Sequence, residues 1–175
     1  MATVDSDTIA RAQGGDREAF GRLVALTQRR VYATARRMVG GHADADDVAQ
    51  EAFLRAYRGL PGFDGRADFF TWMYRIVVNV ALNHLRARAA RIPPAAPPAP
   101  DPVERLEARE TAGRLEAALA TLPGPIRAAL ILHVVEGLPQ AQVAVILECA
   151  EGTVAWRVNQ ARKLLRDRLE GTDGR

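Results

Sequence analysis

Apolar side chains recur every three or four residues along most of the chain, a period typical of helices that bury one face. The pattern predicts helices over residues 17–39, 44–59, about 69–89, 103–120, about 124–136, 139–147 and 152–169. The apolar faces of these helices are predicted to include Leu26, Trp72, Ile76, Val80, Leu85, Leu115 and Val134. Aromatic residues make up only 6% of the chain and strand-forming runs are scarce, so the predicted fold is all-α.

Six of the ten prolines lie between Pro93 and Pro102. Proline lacks a backbone N–H and restricts the residue before it, so neither a helix nor a strand continues through this stretch. It predicts an extended linker, residues 91–103, between two small helical domains, residues 1–90 and 104–175. A proline-rich docking motif for a partner is the alternative interpretation.

The composition excludes several classes of protein. A single cysteine, Cys149, rules out an internal disulfide framework or a cysteine zinc cluster, and it fits a reducing cytoplasm. The three histidines lie far apart, so we expect no metal and no cofactor. No apolar run approaches the ~18 residues of a membrane span, and the acidic start does not resemble a secretory signal, so we expect no membrane insertion.

The helices predicted at 139–147 and 152–169 are separated by about four residues, which is the arrangement of a helix-turn-helix. Residues 152–168 carry five cations and one acid, a net charge of +4. A basic second helix suits docking in the major groove of DNA. The alternative is a solvated helix on the surface of an ordinary helical bundle. The net charge of the whole chain, +3, is too small to establish that the partner is DNA.

Five of the ten aromatic residues lie within residues 63–75, interleaved with Arg66 and Arg75. Aromatic faces and cations together suit the binding of unstacked, single-stranded bases. The alternative is that Phe70, Trp72 and Tyr74 are core residues of a helix.

A run of acids, Asp44, Asp46, Asp47 and Glu51, has no basic residue within it. Three interpretations are open: a divalent-metal site, the charge-favoured start of a helix, or a protein-docking surface. Adjacent Asp46 and Asp47 point in different directions on a helix, which counts against the metal. The other two interpretations are compatible with each other.

Taken together, these segments resemble bacterial sigma factors of the extracytoplasmic-function (ECF) group, over about residues 10–170. In the first domain the resemblance rests on residues 46–53 (DDVAQEAF) and 71–79 (TWMYRIVVN). In the second it rests on Leu122-Pro123, Glu136-Gly137-Leu138 and Gly152-Thr153-Val154 followed by Arg157. The order and spacing of these motifs across a proline-rich linker make the resemblance specific.

The resemblance implies a protein that binds core RNA polymerase and directs it to promoters, with no catalytic residues. The first domain would be sigma region 2 and the second sigma region 4. The β′ clamp helices would bind a surface made of Asp46, Asp47, Gln50, Glu51 and Phe53. The partners implied are core polymerase, through its β′ clamp helices and its β flap, promoter DNA and an anti-sigma factor. The implied location is the cytoplasm, where the protein would associate with the nucleoid. A membrane-bound anti-sigma factor would instead hold it at the membrane.

The resemblance also implies two DNA-binding surfaces. Captured bases of the melted minus-ten element would contact Phe63, Arg66, Phe69, Trp72, Arg75, Asn79, Asn83 and Arg86, with Arg88 holding a phosphate. The minus-thirty-five duplex would contact Thr153, Ala155, Trp156, Arg157, Asn159, Gln160, Arg162 and Lys163.

The second surface departs from the family pattern. Members usually have Lys and Ser where Ala155 and Trp156 stand, so a different minus-thirty-five preference is expected. Pro139 replaces a Ser or Thr that caps the next helix. A conventional DNA-binding regulator is the alternative function, and a metal-dependent nuclease is a more distant one.

Overall fold

The computed structural model describes residues 4–91 and 115–172, all of whose regular elements are helical. The N-terminal helices are α1 (Ser6–Gln13), α2 (Arg17–Val39), α3 (His42–Gly59) and α4 (Phe69–Arg91), with a single 3₁₀ turn at Leu60–Gly62. The C-terminal helices are α5 (Gly124–Leu130), which continues as a π-helical stretch at Ile131–Val135, then α6 (Gln140–Ile146) and α7 (Glu151–Thr172). The all-α prediction is confirmed.

The predicted linker and most of the helix predicted at 103–120 lie outside the described residues. The last part of that helix, residues 115–120, is helical.

Short polar side chains and glycines set the helix ends. Asp5 accepts hydrogen bonds from the Asp7 and Thr8 amides and begins α1. Asp16 does the same for α2, through the Glu18 and Ala19 amides. Helix α2 ends at Gly40, whose φ of 86° lies in the left-handed region that favours glycine.

Helices α2, α3 and α4 pack around a core of aliphatic side chains, and α1 lies across α2. The fully buried members of this core include Leu23, Met38, Val48, Val77 and Val78. In the C-terminal part, α5 and α6 pack on α7 around a second set, Ile131, Ile146, Val143 and Val154. The C-terminal helices also pack directly against α2 and α4.

Several predicted details were wrong. Helix α1 was not predicted at all. On α4 the buried side chains include Phe70, Met73, Tyr74, Val77, Val78 and Ala81, none of which was named as an inward position. Of the four positions that were named, Val80 is buried, whereas Trp72, Ile76 and Leu85 are half-buried at the edge of the core. Leu26, Leu115 and Val134 are exposed rather than buried. The predicted 124–136 helix changes to π-helical hydrogen bonding at Ile131, where the Glu136 amide donates to the Ile131 carbonyl.

Candidate nucleic-acid and polymerase interface

One side of α4 forms a polar stripe. Arg75, Asn79, Asn83 and Arg86 are all exposed and follow one another at spacings of four, four and three residues, which places them on one helix face. The opposite side, with Val77, Val78 and Ala81, is buried in the core. Burial of that side fixes the rotation of α4, so the two asparagine amides face outward one helical turn apart.

Beside the start of this stripe lies a cluster of three aromatic rings. The Phe63 ring centroid is 5.2 Å from that of Trp72 and 5.8 Å from that of Phe69, and the Phe69 and Trp72 centroids are 5.6 Å apart. Phe69 is only 4% exposed, whereas Phe63 and Trp72 are half-buried. Only Phe63 and Trp72 therefore offer ring surface to a partner in this conformation, and Phe69 supports them from below.

The loop of residues 63–68, which carries Phe63 and leads into α4, is held in place by two polar residues that were not predicted. Asp68 caps α4: its carboxylate accepts from the Phe70 and Thr71 amides at 3.0 and 3.1 Å. Gln13, at the end of α1, donates to the Leu60 and Phe63 carbonyls at 3.1 and 2.6 Å. An Asp directly before an apolar run is a capping signal that could have been recognised in the sequence. The contact of Gln13 spans 50 positions and leaves no local signal.

Most of the cations expected to hold phosphates already have partners within the chain. Arg75 is paired with Glu148, which lies in the turn before α7. Arg88 is paired with Asp44 at 3.0 Å. Arg66 is paired with Asp64 at 3.2 Å, and both of these side chains are exposed. The Arg86 guanidinium donates to the Asn83 side-chain oxygen at 3.0 Å. Exposed pairs of this kind contribute only about 0–1 kcal/mol, so a phosphate can replace them at little cost.

The acidic run on α3 divides into two kinds of residue. Asp44, in the first turn, contacts Arg88 and His84, and Glu51 pairs with Arg55 at 2.7 Å, so neither acid is unpaired. Asp46 and Asp47 are exposed and make no ion pair with any residue that the structure describes. They lie beyond the first turn, so a favourable helix start explains Asp44 but not these two.

Near Asp46 and Asp47, Gln50 is exposed while Glu51 and Phe53 are half-buried. Within residues 4–91 and 115–172 no three potential ligands lie together as a metal site would require. The exposed pair of acids is therefore a surface feature of α3.

Helices α6 and α7 form the predicted helix-turn-helix, with residues 147–150 as the turn. Val143 and Ala144 on α6 are buried together with Val154, Val158 and Ala161 on α7, as predicted. Pro139 stands directly before α6, at the N-cap position, and provides no side-chain hydrogen bond to the open amides. Cys149 in the turn is half-buried among core residues, and the Arg157 guanidinium lies 3.5 Å from its sulfur atom.

The outward side of α7 carries the residues predicted to read duplex DNA. Trp156 is 56% exposed, and Asn159, Arg162 and Lys163 are exposed beside it. Thr153, Ala155, Arg157 and Gln160 are half-buried along the edges of this surface. Trp156, Asn159 and Lys163 are spaced by three and four residues and share one face, so an indole, an amide and an ammonium group project together from the helix.

No helix within the described ranges is both long and apolar enough to cross a membrane. The chain has two helical domains, and one of them carries a basic helix-turn-helix. These features are typical of helical DNA-binding proteins.

Comparisons with known proteins narrow this class. The family model for sigma-70 region 2 matches residues 23–91, and that for sigma-70 region 4 matches residues 112–165. The RNA polymerase sigma-H factor of Pseudomonas aeruginosa is 35% identical over 95% of this chain and 94% of its own length. The ECF RNA polymerase sigma-E factor of Escherichia coli K12 is 34% identical over 95% and 94%.

Among solved structures, CnrH in complex with the cytosolic domain of CnrY is 28% identical and has a TM-score of 0.73, covering 94% of this chain and 96% of that one. The chain belongs to the ECF group of sigma-70 factors. It is a promoter-specific initiation factor for RNA polymerase and has no catalytic chemistry of its own.

Proposed function

We propose that residues 1–90 are the region 2 domain, which binds core polymerase and captures the melted minus-ten element. Residues 104–175 would be the region 4 domain, which reads the minus-thirty-five duplex and contacts the β flap, and residues 91–103 the linker between them. The observation that carries this division is the presence of two distinct polar surfaces on different helices, the stripe on α4 and the outward side of α7.

The exposed acids of α3 are proposed to dock on the β′ clamp helices of core polymerase. Asp46 and Asp47 have no ion-pair partner within the described residues. A basic partner surface can therefore form ion pairs with them without breaking ion pairs within this chain. Gln50, Glu51 and Phe53 extend the same helix and would supply polar and apolar contacts around them. Complementary charge speeds encounter and fixes the register of docking.

The α4 stripe and the aromatic cluster are proposed to hold the melted minus-ten strand. Phe63 and Trp72 expose ring surface on which flipped bases can stack, and base stacking contributes about 1–3 kcal/mol per base. Asn79 and Asn83 carry amides that can pair with base edges, with Arg66, Arg75 and Arg86 near enough along the chain to meet phosphates. Trapping the bases offsets the few kcal/mol that unstacking costs. Phe69 would contribute by supporting the other two rings.

The outward side of α7 is proposed to enter the major groove at the minus-thirty-five element. Asn159 and Gln160 can pair with adenine, and the Trp156 ring can contact a thymine methyl group. Arg157, Arg162 and Lys163 would meet phosphates, while Thr153 and Ala155 line the end of the helix that comes nearest the bases. An indole in place of the usual serine predicts a preference for thymine at the base step that it meets.

An anti-sigma factor is proposed as a further partner. Support comes from the similarity of this chain to CnrH, which was solved in complex with the cytosolic domain of CnrY. The proposed location is the cytoplasm, with the nucleoid when active and near the membrane if the anti-sigma factor is membrane-bound.

Footprinting of promoter fragments separates this function from that of a conventional regulator. The purified chain and core polymerase together should protect both promoter elements, and permanganate should detect unpaired thymines at minus-ten. The chain alone should give no specific footprint at the same concentration. A sequence-specific footprint without core polymerase would favour the regulator and contradict the proposal.

A further inference from the structure

The side chain of Gln13 ties the end of α1 to the loop of residues 63–68. Its Nε2 atom donates to the Leu60 carbonyl at 3.1 Å and to the Phe63 carbonyl at 2.6 Å. A terminal amide nitrogen carries two hydrogens, so these two bonds use both of them. The Phe63 carbonyl has no other hydrogen-bond donor within the described residues. Gln13 is therefore the polar contact that fixes this carbonyl.

One of the two acceptors is a fixed point of the fold. The Leu60 side chain is only 1% exposed, and the Leu60 carbonyl also accepts from the Phe63 amide at 3.0 Å. Gln13 bonds both ends of this single turn, so it holds Phe63 relative to a residue that is anchored in the core. From Phe63 the loop runs to Asp68, which caps α4. Gln13 therefore anchors the start of the loop, and Asp68 anchors its end.

The position of Gln13 is set by a braced turn between α1 and α2. The Arg11 guanidinium donates to the Asp16 carboxylate through Nε at 3.0 Å and through Nη2 at 2.6 Å. The Asp16 amide donates back to the Arg11 carbonyl at 3.1 Å. Gly15 has a φ of 92° in this turn, in the left-handed region that favours glycine. Because Ile9 of α1 also packs against the core, α1 is a firm support for the amide of Gln13.

Phe63 in turn places ring surface that flipped bases would use. Its ring centroid lies 5.2 Å from that of Trp72, and both rings are half-buried. The Trp72 indole also passes close to Gly59, where an added Cβ atom would lie 3.5 Å from Trp72 Cζ2. A binding surface that is already in place holds its ligand more tightly, because ordering it during binding costs free energy. The position of Phe63 therefore affects how tightly the melted strand is held.

We propose that Gln13 is a positioning residue for promoter melting, which holds Phe63 where a flipped minus-ten base stacks. This role rests on the capture site proposed above for Phe63 and Trp72. The Leu60 carbonyl that Gln13 bonds lies roughly 20 Å along α3 from Asp47 of the proposed polymerase-docking surface. Loss of Gln13 should therefore weaken capture of the melted strand and leave polymerase docking and duplex binding intact.

Fluorescence of Trp72 tests the structural step without DNA. Trp156→Phe leaves Trp72 as the single tryptophan of the chain. Gln13→Met keeps the length of the side chain but removes both donors, so it should release Phe63 and raise the acrylamide quenching constant of Trp72. Gln28→Met, the same change at an exposed position of α2, is the matched control. Equal quenching constants for the two variants would overturn the proposal.

Gln13→Glu separates hydrogen bonding from packing. The carboxylate has nearly the shape of the amide, but in its ionised form it only accepts hydrogen bonds, so it would repel the Leu60 and Phe63 carbonyl oxygens. It should raise the quenching constant of Trp72 at least as much as Gln13→Met does. A Gln13→Glu chain with the quenching constant of the parent would overturn the role of the two hydrogen bonds.

Binding of a single strand to the chain in complex with core polymerase tests the functional step. The probe is a labelled non-template strand that carries the minus-ten element of a promoter transcribed by this chain. Gln13→Met should weaken its binding about tenfold, the loss expected when one base stacks less well. Binding of core polymerase, and of the intact duplex promoter at low temperature, should match that of Gln28→Met. Equal weakening of all three would indicate a general loss of structure and would overturn the positioning role.

A double-mutant cycle shows whether Gln13 acts through Phe63. Gln13→Met should weaken strand binding much less in a Phe63→Ala chain than in the parent, because the ring that Gln13 positions is then absent. Fully additive losses would overturn the route through Phe63.

Trp72→Ala separates the positioning role from the capture site on which it rests. Strand binding that neither Trp72→Ala nor Phe63→Ala weakens would refute the capture site and the role of Gln13 with it. Strand binding that both of these variants weaken, but that Gln13→Met does not, would refute the positioning role alone.

Discussion

Asp44 and Arg88 join the start of α3 to the far end of α4 through an ion pair with 3.0 Å between Oδ2 and Nη1. His84 approaches the same carboxylate at 3.3 Å. Asp44 therefore helps to hold α3 against α4, whereas Asp47, less than one turn further on, is exposed. The two acids should respond differently to mutation.

Asp47→Arg should weaken binding to core polymerase by at least about tenfold, because a like charge then meets the proposed basic partner surface. The free energy of unfolding should change little, since Asp47 is exposed and unpaired within the described residues. Asp44→Asn should show the reverse: about 1 kcal/mol less stability in urea and unchanged polymerase binding. Glu18→Arg controls for net charge. Equal loss of binding in Asp47→Arg and Glu18→Arg would contradict the docking surface.

Asn79→Ala should impair promoter opening more than duplex binding, because its amide is proposed to hold a base that is available only after melting. Permanganate reactivity at minus-ten measures opening, and gel shifts of the polymerase complex at low temperature measure duplex binding. Gln28→Ala removes an exposed amide from α2 and should affect neither. A similar loss of opening and of duplex binding would refute the assignment of Asn79.

Trp156→Ser restores the residue usual in the family and should change the preferred minus-thirty-five sequence. Loss of the ring contact to a thymine methyl is expected to cost discrimination of about 1–3 kcal/mol at one base pair. Selection from a promoter library randomised at this element measures the change. Leu164→Ser, at another exposed apolar position of α7, is the control. Identical preferred sequences for the parent chain and Trp156→Ser would contradict base contact by Trp156.

The hydrogen bond that the Tyr74 hydroxyl donates to Glu136 Oε2, at 2.6 Å, makes the free energy of unfolding depend on pH. Burial, followed by the hydrogen bond to Glu136, raises the pKa of its phenol above the ordinary value of 10.0. The folded chain therefore holds this proton in alkaline solution while the unfolded chain releases it near pH 10, so stability from Tyr74 is complete below pH 10 and falls above it. Between pH 9 and 11 the free energy of unfolding should fall more steeply for the parent chain than for Tyr74→Phe. Parallel curves would contradict this role.

The helical period predicted most elements because their apolar faces repeat every three or four residues. Helix α1 was missed although its cap, Asp5, stands in the sequence, because the segment is only eight residues long and its one large apolar side chain is Ile9. The centre of the buried face of α4 was misjudged because most residues of 69–82 are apolar, and only Thr71, Arg75 and Asn79 are polar there. Only packing against α2 and α3 fixes it.

The candidate surfaces were predicted residue by residue from the resemblance to the family, and their roles stay predictions. Their partners within the chain were not predicted, because Arg75 meets Glu148 across 73 positions and Tyr74 meets Glu136 across 62. No local pattern signals such contacts. The buried ring of Phe69 and the anchoring by Gln13 likewise depend on how distant segments pack.

Run-off transcription tests the sigma-factor function most directly. Purified chain, core RNA polymerase and genomic promoter fragments are combined, with core polymerase alone as the blank and a known sigma factor to confirm that the core is active. Discrete transcripts that need this chain, and that disappear when either the minus-ten or the minus-thirty-five element of their promoter is altered, are the predicted result. Absence of any chain-dependent transcript from active core would contradict it.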